Sequence, residues 1–225
     1  MELNDTTINI LKNYATINPN IVINEGNQLK TISTARNVLS TSEVNVEFPQ
    51  TFGIYDLNEF LNVLSLVDEP RLRFENDYVV VGDATGRSSV KYFFSDPEML
   101  TSPANTIKMP EPEVKFTLDS DTLKKVKRAA AALGHDEISI TPVTGAIRLS
   151  VLDSKDATSN NYSIDVEGDY PDVKFQFILN VGNLKVVNED FEVGISSKLI
   201  SKFTSKQSTT EYYIALEKTS TYGEA

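Results

Sequence analysis

The sequence predicts an α+β fold of two similar domains, each with two helices packed on antiparallel sheets, and three observations carry that prediction. An order of helix, strands, helix, strands runs through the first half of the chain, the same order returns in the second half, and a proline-rich segment separates them.

In the first copy, Ile8, Leu11 and Ala15 recur at helical spacing over residues 6–17, with Asp5, Thr6 and Thr7 as candidate N-caps. Ile21 and Ile23 alternate before a turn at Glu25, Gly26 and Asn27, and Leu29 leads a return strand, a pattern that reads as a hairpin. Asp56 caps a second helix whose Leu57, Phe60, Leu61 and Leu64 share one face. Strands at RLRF (71–74), YVVVG (78–82) and VKYFF (90–94) close the copy.

The second copy opens with a helix from Asp121 to Leu133, which Gly134 is expected to terminate. Ile138 and Ile140 alternate, Gly145 turns the chain, and Ile147, Leu149 and Val151 alternate again, predicting a hairpin. A short helix is expected over 180–187, followed by strands at FEVGIS (191–196) and YYIALEK (212–218). Pro97, Pro103, Pro110 and Pro112 remove backbone donors between the copies. The expected division is therefore a domain at 1–97, a connector at 98–113 and a domain at 114–225.

Composition excludes several classes of function. Without cysteine there is no disulfide, thiolate metal site or thiol nucleophile, which fits a reducing compartment. No apolar run approaches the ~18 residues of a membrane span, and the N-terminus carries acids where a signal peptide needs cations, so a cytoplasmic protein is expected. The single histidine, His135, follows a helix stop and has no evident partner for acid–base work. GDATGRSS (82–89) lacks the lysine and spacing of a phosphate-binding loop, and no G-x-S-x-G elbow occurs. Asp153 with Asp156, and Glu189 with Asp190, lack the supporting ligands of a metal site. No catalytic residue, metal or cofactor is expected, and the chain does not read as an enzyme.

Charge is the informative signal. The formal net charge is −11, yet Lys124, Lys125, Lys127 and Arg128 crowd one helix, opposite an apolar stripe of Leu123, Val126, Ala130 and Leu133. Taken alone, that cluster reads as a solvated helix face. The other helices bear on the choice: at the average density of acids the four expected helices would hold about six between their caps, and they hold only Glu59. Their bases are Lys12, the four clustered cations and Lys185, and the remaining outward positions are mostly Asn9, Asn13, Thr16, Asn58, Asn62 and Ser65. Helices cleared of acid, in an acidic chain, are suited to face a polyanion through phosphate contacts without sequence readout.

Four segments, DTTINILKNYATIN (5–18), IYDLNEFLNVLSLVD (54–68), FQFILNVGNLKV (175–186) and YYIALEKTST (212–221), resemble the sliding clamps of T-even-type bacteriophages. The resemblance implies the DNA clamp fold, with three subunits of two domains each closing head to tail into a homotrimeric ring around duplex DNA. It further implies loading by an ATP-driven clamp loader, tethering of the viral replicative DNA polymerase as a processivity factor, and a role with late transcription factors. On this reading Lys12, Lys124, Lys125, Lys127, Arg128, Lys185, Asn9 and Asn13 face DNA. The resemblance also implies a pocket near the connector for a partner's apolar C-terminal peptide, for which Ile107, Met109, Pro110 and Leu216 are candidates; those residues read equally as cover for the domain cores. The competing function is a non-enzymatic phage structural or adhesion module of two repeated β-rich domains.

Overall fold

The computed structural model describes residues 1–104, 107–156 and 158–223, in two compact units that divide at Thr106 and Ile107. That division falls inside the expected connector 98–113, of which residues 105 and 106 lie outside the described residues.

Unit 1 runs α1 (Asp5–Ile17), β1 (Ile21–Ile23), β2 (Gly26–Ile32), β3 (Val38–Phe48), β4 (Phe52–Ile54), α2 (Leu57–Ser65), β5 (Arg71–Phe74), β6 (Tyr78–Gly82) and β7 (Ser89–Phe93). Unit 2 runs β8 (Val114–Leu118), α3 (Ser120–Leu133), β9 (Glu137–Val143), β10 (Ala146–Leu152), β11 (Tyr162–Val166), β12 (Gly168–Asp169), β13 (Phe175–Asn180), a 3₁₀ turn (Val181–Asn183), β14 (Phe191–Ser196), β15 (Ile200–Ser205), β16 (Glu211–Ala215) and β17 (Thr221–Tyr222).

The repeat extends to strand pairing. In each unit the strand after the long helix pairs antiparallel with the strand before the second helical segment, as Ile21↔Ile54 in unit 1 and Phe177↔Ile140 in unit 2. In each unit an antiparallel meander follows the second helical segment, β5-β6-β7 or β14-β15-β16.

Two expectations are corrected. The hairpin predicted across Gly26 does not form: β1 pairs with β4, and β2 pairs with the eleven-residue β3. Gly26, at φ 108°, directs the chain into a different ladder, and the turn that makes a hairpin lies at 33–37, where Ser33 Oγ accepts from the Asn37 and Val38 amides. The helix predicted over 180–187 is only a 3₁₀ turn at Val181–Asn183. Beyond it Leu184 and Val186 are buried while Lys185 is exposed, a period of two that belongs to extended chain. Gly182 and the β-branched Val181, Val186 and Val187 disfavour helix there, and the Asn180 side chain closes the short turn by accepting from the Gly182 amide at 2.8 Å.

The unit 1 core holds Leu11, Tyr14, Ile21, Ile54, Leu57 and Phe60, and Ser40 Oγ donates to the Tyr14 hydroxyl to pin α1 on β3. The unit 2 core gathers Leu123, Val126, Ile140, Leu149, Phe177 and Phe191 between α3 and the two sheets. Among the described residues no helix is long and apolar enough to cross a membrane.

Candidate nucleic-acid interface

Each helix begins on a side-chain cap. The Asn4 carboxamide oxygen accepts from the Thr7 amide at 2.8 Å, so the first cap lies one residue before the expected candidates. Asp56 accepts from the Asn58 and Glu59 amides as expected. Helix α3 starts one residue earlier than its charge pattern implied, because Asp119, not Asp121, caps it through the Thr122 amide at 2.7 Å and the Thr122 hydroxyl at 2.8 Å. Those two donors hold the Asp119 carboxyl below its ordinary range. At the other end Gly134, at φ 70°, lets both its own amide and that of His135 reach the Ala130 carbonyl.

The three helices contain the acids Asp5, Glu59 and Asp121, each in a first turn, where the helix dipole favours a negative charge. Beyond the first turns they have none. The depletion of acid is therefore a property of helix bodies, while their N-termini follow ordinary capping electrostatics.

On α3, Leu123, Val126 and Ala130 are buried and Leu133 is half-buried, while Lys124, Lys125 and Arg128 are exposed. The four cations are not equivalent. Lys124 Nζ lies 3.4 Å from Asp121 Oδ1 in an exposed pair, a contact worth little in water. Lys127 is half-buried, and its Nζ donates to the Val186 carbonyl at 3.4 Å; desolvation lowers its pKa. Lys125 and Arg128 are left as the outward pair.

On α1, Lys12 and Asn9 are exposed and Asn13 is half-exposed, with Thr16 Oγ1 bonded back to the Asn13 carbonyl. Helix α2 presents Asn58, Asn62 and Ser65 and no cation, and Ser65 Oγ likewise bonds back to the Asn62 carbonyl. Lys185 is exposed, but it stands on the extended segment after the 3₁₀ turn. Among the described helices the outward cations are thus Lys12 on α1 and the cluster on α3.

The four candidate pocket residues separate. Met109 and Pro110 line a groove of about 790 Å³ within unit 2, floored by outward side chains of β8, β14 and β15 such as Lys115, Glu192 and Lys202. Gly194 keeps that floor low where Pro112 crosses it: an added Cβ would stand 3.1 Å from the proline ring. Ile107 is half-buried and does not line the groove, and Leu216 is only 6% exposed, its amide bonded to the Leu199 carbonyl.

The sequence reading missed the Asp119 cap and the inward turn of Lys127. Asp119 could have been found from the D-x-x-T spacing to Thr122 that places an N-cap. The inward turn of Lys127 rests on the carbonyl of a residue distant in sequence, which leaves no local signal.

Comparison with known proteins places this geometry in a lineage. The sequence matches two family profiles, one described as "DNA polymerase processivity factor" over residues 4–85 and one as "gp45 sliding clamp, C terminal" over residues 115–218. It is 32% identical over 223 residues to the sliding clamp of Vibrio phage KVP40, covering 96% of this chain and 99% of that protein. It is 29% identical to the sliding clamp of Escherichia phage RB69, covering 99% of each. In fold it resembles PCNA from Thermococcus kodakaraensis, with a TM-score of 0.71 at 16% identity over 96% of this chain and 98% of that one.

Proposed function

Because the chain belongs to the sliding-clamp family of T4-type phages, acting as a processivity factor of the phage DNA polymerase, we propose that it works by enclosure, as a homotrimeric ring through which duplex DNA passes. It performs no catalysis of its own, and the host cytoplasm is its place of action.

The observation that carries this reading is the acid-free body of all three helices in a chain of net charge −11. Lys12, Lys124, Lys125, Arg128 and Lys185, with Asn9 and Asn13, are the groups we assign to the duplex. Lysine, arginine and asparagine all reach phosphate oxygens, contacts that carry no sequence information, and contacts made through water permit sliding. Lys127 adds positive potential from a half-buried position, without reaching as far as Lys125 or Arg128.

Ring closure is supported by open edges. Among the described residues β7 in unit 1 and β11 in unit 2 each have a ladder on one side only, and each is five residues long. Different edges on the two units allow head-to-tail pairing, which closes into a ring when the rotation permits. A ring without an opening activity of its own calls for an ATP-driven loader. The groove beside Met109 and Pro110 is the surface we assign to the C-terminal peptide of the polymerase or a late transcription factor.

The test joins two measurements. Solution mass against concentration gives three chains, and loader-dependent retention holds on nicked circular DNA but not on linear DNA with free ends. A persistent monomer, or equal retention on both templates, overturns the reading. A structural or adhesion module predicts neither the ring nor the topology dependence.

A further inference from the structure

The two open edges, β7 and β11, match in side-chain pattern. Along β7, Ser89, Lys91 and Phe93 are exposed while Val90 and Tyr92 are half-buried. Along β11, Ser163 and Asp165 are exposed while Tyr162, Ile164 and Val166 are half-buried. Each edge strand therefore has one half-buried apolar face and one exposed face.

Their backbones match as well. At the ends of the β6-β7 ladder the Phe94 amide bonds to the Asp77 carbonyl at 2.9 Å and the Asp83 amide to the Ser88 carbonyl at 3.1 Å. Even-numbered residues of β7 thus bond inward, and Ser89, Lys91 and Phe93 offer their amides and carbonyls at the open edge. In unit 2 the Val181 amide bonds to the Asp136 carbonyl at 2.8 Å, in register with Phe177↔Ile140. Carried through β9, β10 and β11, that alternation leaves Ser163 and Asp165 with outward backbone groups. Residues directly opposed in an antiparallel ladder share both backbone phase and side-chain face. Lys91 can therefore stand opposite Asp165 or Ser163, but not opposite Ile164.

Charge decides between those registers. Among the described residues Lys91 has no carboxylate partner, and its Nζ rests 3.7 Å from the Tyr78 ring centroid. Asp165 is the one acid of β11, and it accepts from Arg148 Nε at 2.7 Å and Nη2 at 2.9 Å. A carboxylate offers about four lone-pair sites, so the arginine fork leaves room for a third donor. With Lys91 opposite Asp165, the apolar faces pair Val90 with Val166 and Tyr92 with Ile164. A slip of two residues also gives apolar pairs, Val90 with Ile164 and Tyr92 with Tyr162, but sets Lys91 against Ser163 and Asp165 against Ser89.

We propose, resting on the ring reading above, that β7 of one copy joins β11 of the next antiparallel with Lys91 opposite Asp165. Arg148, Asp165 and Lys91 then form one charged row across the seam. Backbone bonds and apolar contacts hold the two strands together in either register, and this row selects one of them.

The chain has no native cysteine, so introduced pairs report the register by cross-linking. In the proposed register Val90→Cys and Val166→Cys are directly opposed, with Cα atoms about 4.5 Å apart, and oxidation joins the chains on non-reducing gels. Val90→Cys and Ile164→Cys are then diagonal, at about 7–8 Å, and stay unlinked. Lys91→Glu sets two carboxylates against each other and raises the concentration of half-assembly about tenfold or more, while Lys91→Arg keeps the wild-type curve. Circular dichroism melts confirm that the variants fold. A three-chain mass in which the Val166 pair stays unlinked overturns the register and leaves the ring, as does an assembly curve unchanged in Lys91→Glu. A wild-type chain that stays monomeric overturns ring and register together.

Discussion

Lys127 Nζ donates to the carbonyl of Val186 at 3.4 Å, so one of the four cations clustered on α3 is turned back onto the unit that carries it. The cluster therefore divides into cations that support the fold and cations that reach outward, and the two groups respond differently to substitution.

Replacing Lys125 and Arg128 together by glutamate reduces loader-dependent retention on nicked circular DNA and lowers the salt dependence of residual duplex binding. Each lost phosphate contact removes about one unit from the slope of log K against log salt. Lys12→Glu acts in the same direction but less, being the only cation on the helices of unit 1. Retention and salt slope unchanged in the double variant would remove α3 from the DNA surface.

Lys127→Met keeps the buried aliphatic stem and removes the hydrogen bond, which contributes about 1 kcal/mol. Urea melts detect a destabilisation of that order, while DNA retention stays close to wild type. A DNA defect as large as that of the Lys125 and Arg128 variant, with no change in stability, would place Lys127 outward.

Asp119→Ala removes the α3 N-cap and destabilises the chain by about 1 kcal/mol at neutral pH, and Asp119→Asn recovers most of it. The Asp119 pKa is lowered by the Thr122 amide and hydroxyl, so its stabilisation is full above the ordinary aspartate pKa and is lost as pH falls through the lower folded value. Melts from neutral pH to pH 3 consequently show wild type and Asp119→Ala converging at the acid end.

Tyr92 ionises late. Burial first, then the charges of Glu59 and Asp56, push its pKa up to about 12, and its hydroxyl donates to the Asp56 carbonyl at 3.3 Å. Because the folded state holds this proton more tightly, stability falls as pH rises above the ordinary tyrosine pKa of about 10. Ultraviolet titration resolves Tyr92 from exposed tyrosines, and Glu59→Gln lowers its midpoint only in part, since burial remains.

Gly53→Ala destabilises the chain by about 2 kcal/mol or more, through overpacking against backbone. An added Cβ would stand 2.5 Å from the Ser95 carbonyl oxygen and 2.7 Å from Leu100 Cδ1, where the Ser95 amide bonds to the Gly53 carbonyl and fastens the segment after β7 to β4. Thermal melts measure the loss, and a melting temperature equal to wild type would show that this seam yields freely.

What the sequence made legible is what local patterning specifies. Periodicity located α1, α2 and α3 and the strands around Leu72, Val79 and Ile138, because each buries one face. It paired β1 with the wrong strand, since the competition between β2 and β4 for that edge is decided by β3 and by the turn at 33–37, all outside the window being read. The helix expected near Lys185 failed for a reason the sequence did contain, the apolar–polar–apolar alternation of Leu184, Lys185 and Val186 that becomes period-two burial. Of the candidate interface, the sign and location of charge were readable, whereas the commitments of Lys124 to Asp121 and of Lys127 to Val186 follow from side-chain geometry.

Among the described residues, the short turn at Val181–Asn183 leaves unit 2 with a single α-helix, and that helix carries three of the five cations assigned to the duplex. Two equivalent units per chain would give a three-chain ring an approximately six-fold electrostatic potential. Units as unequal as these would give the proposed ring a three-fold one, with fewer and deeper wells. A duplex turning inside the proposed ring would meet a repeating barrier every third of a revolution, and its rotational friction would then be set by the contrast between the two units as much as by total charge.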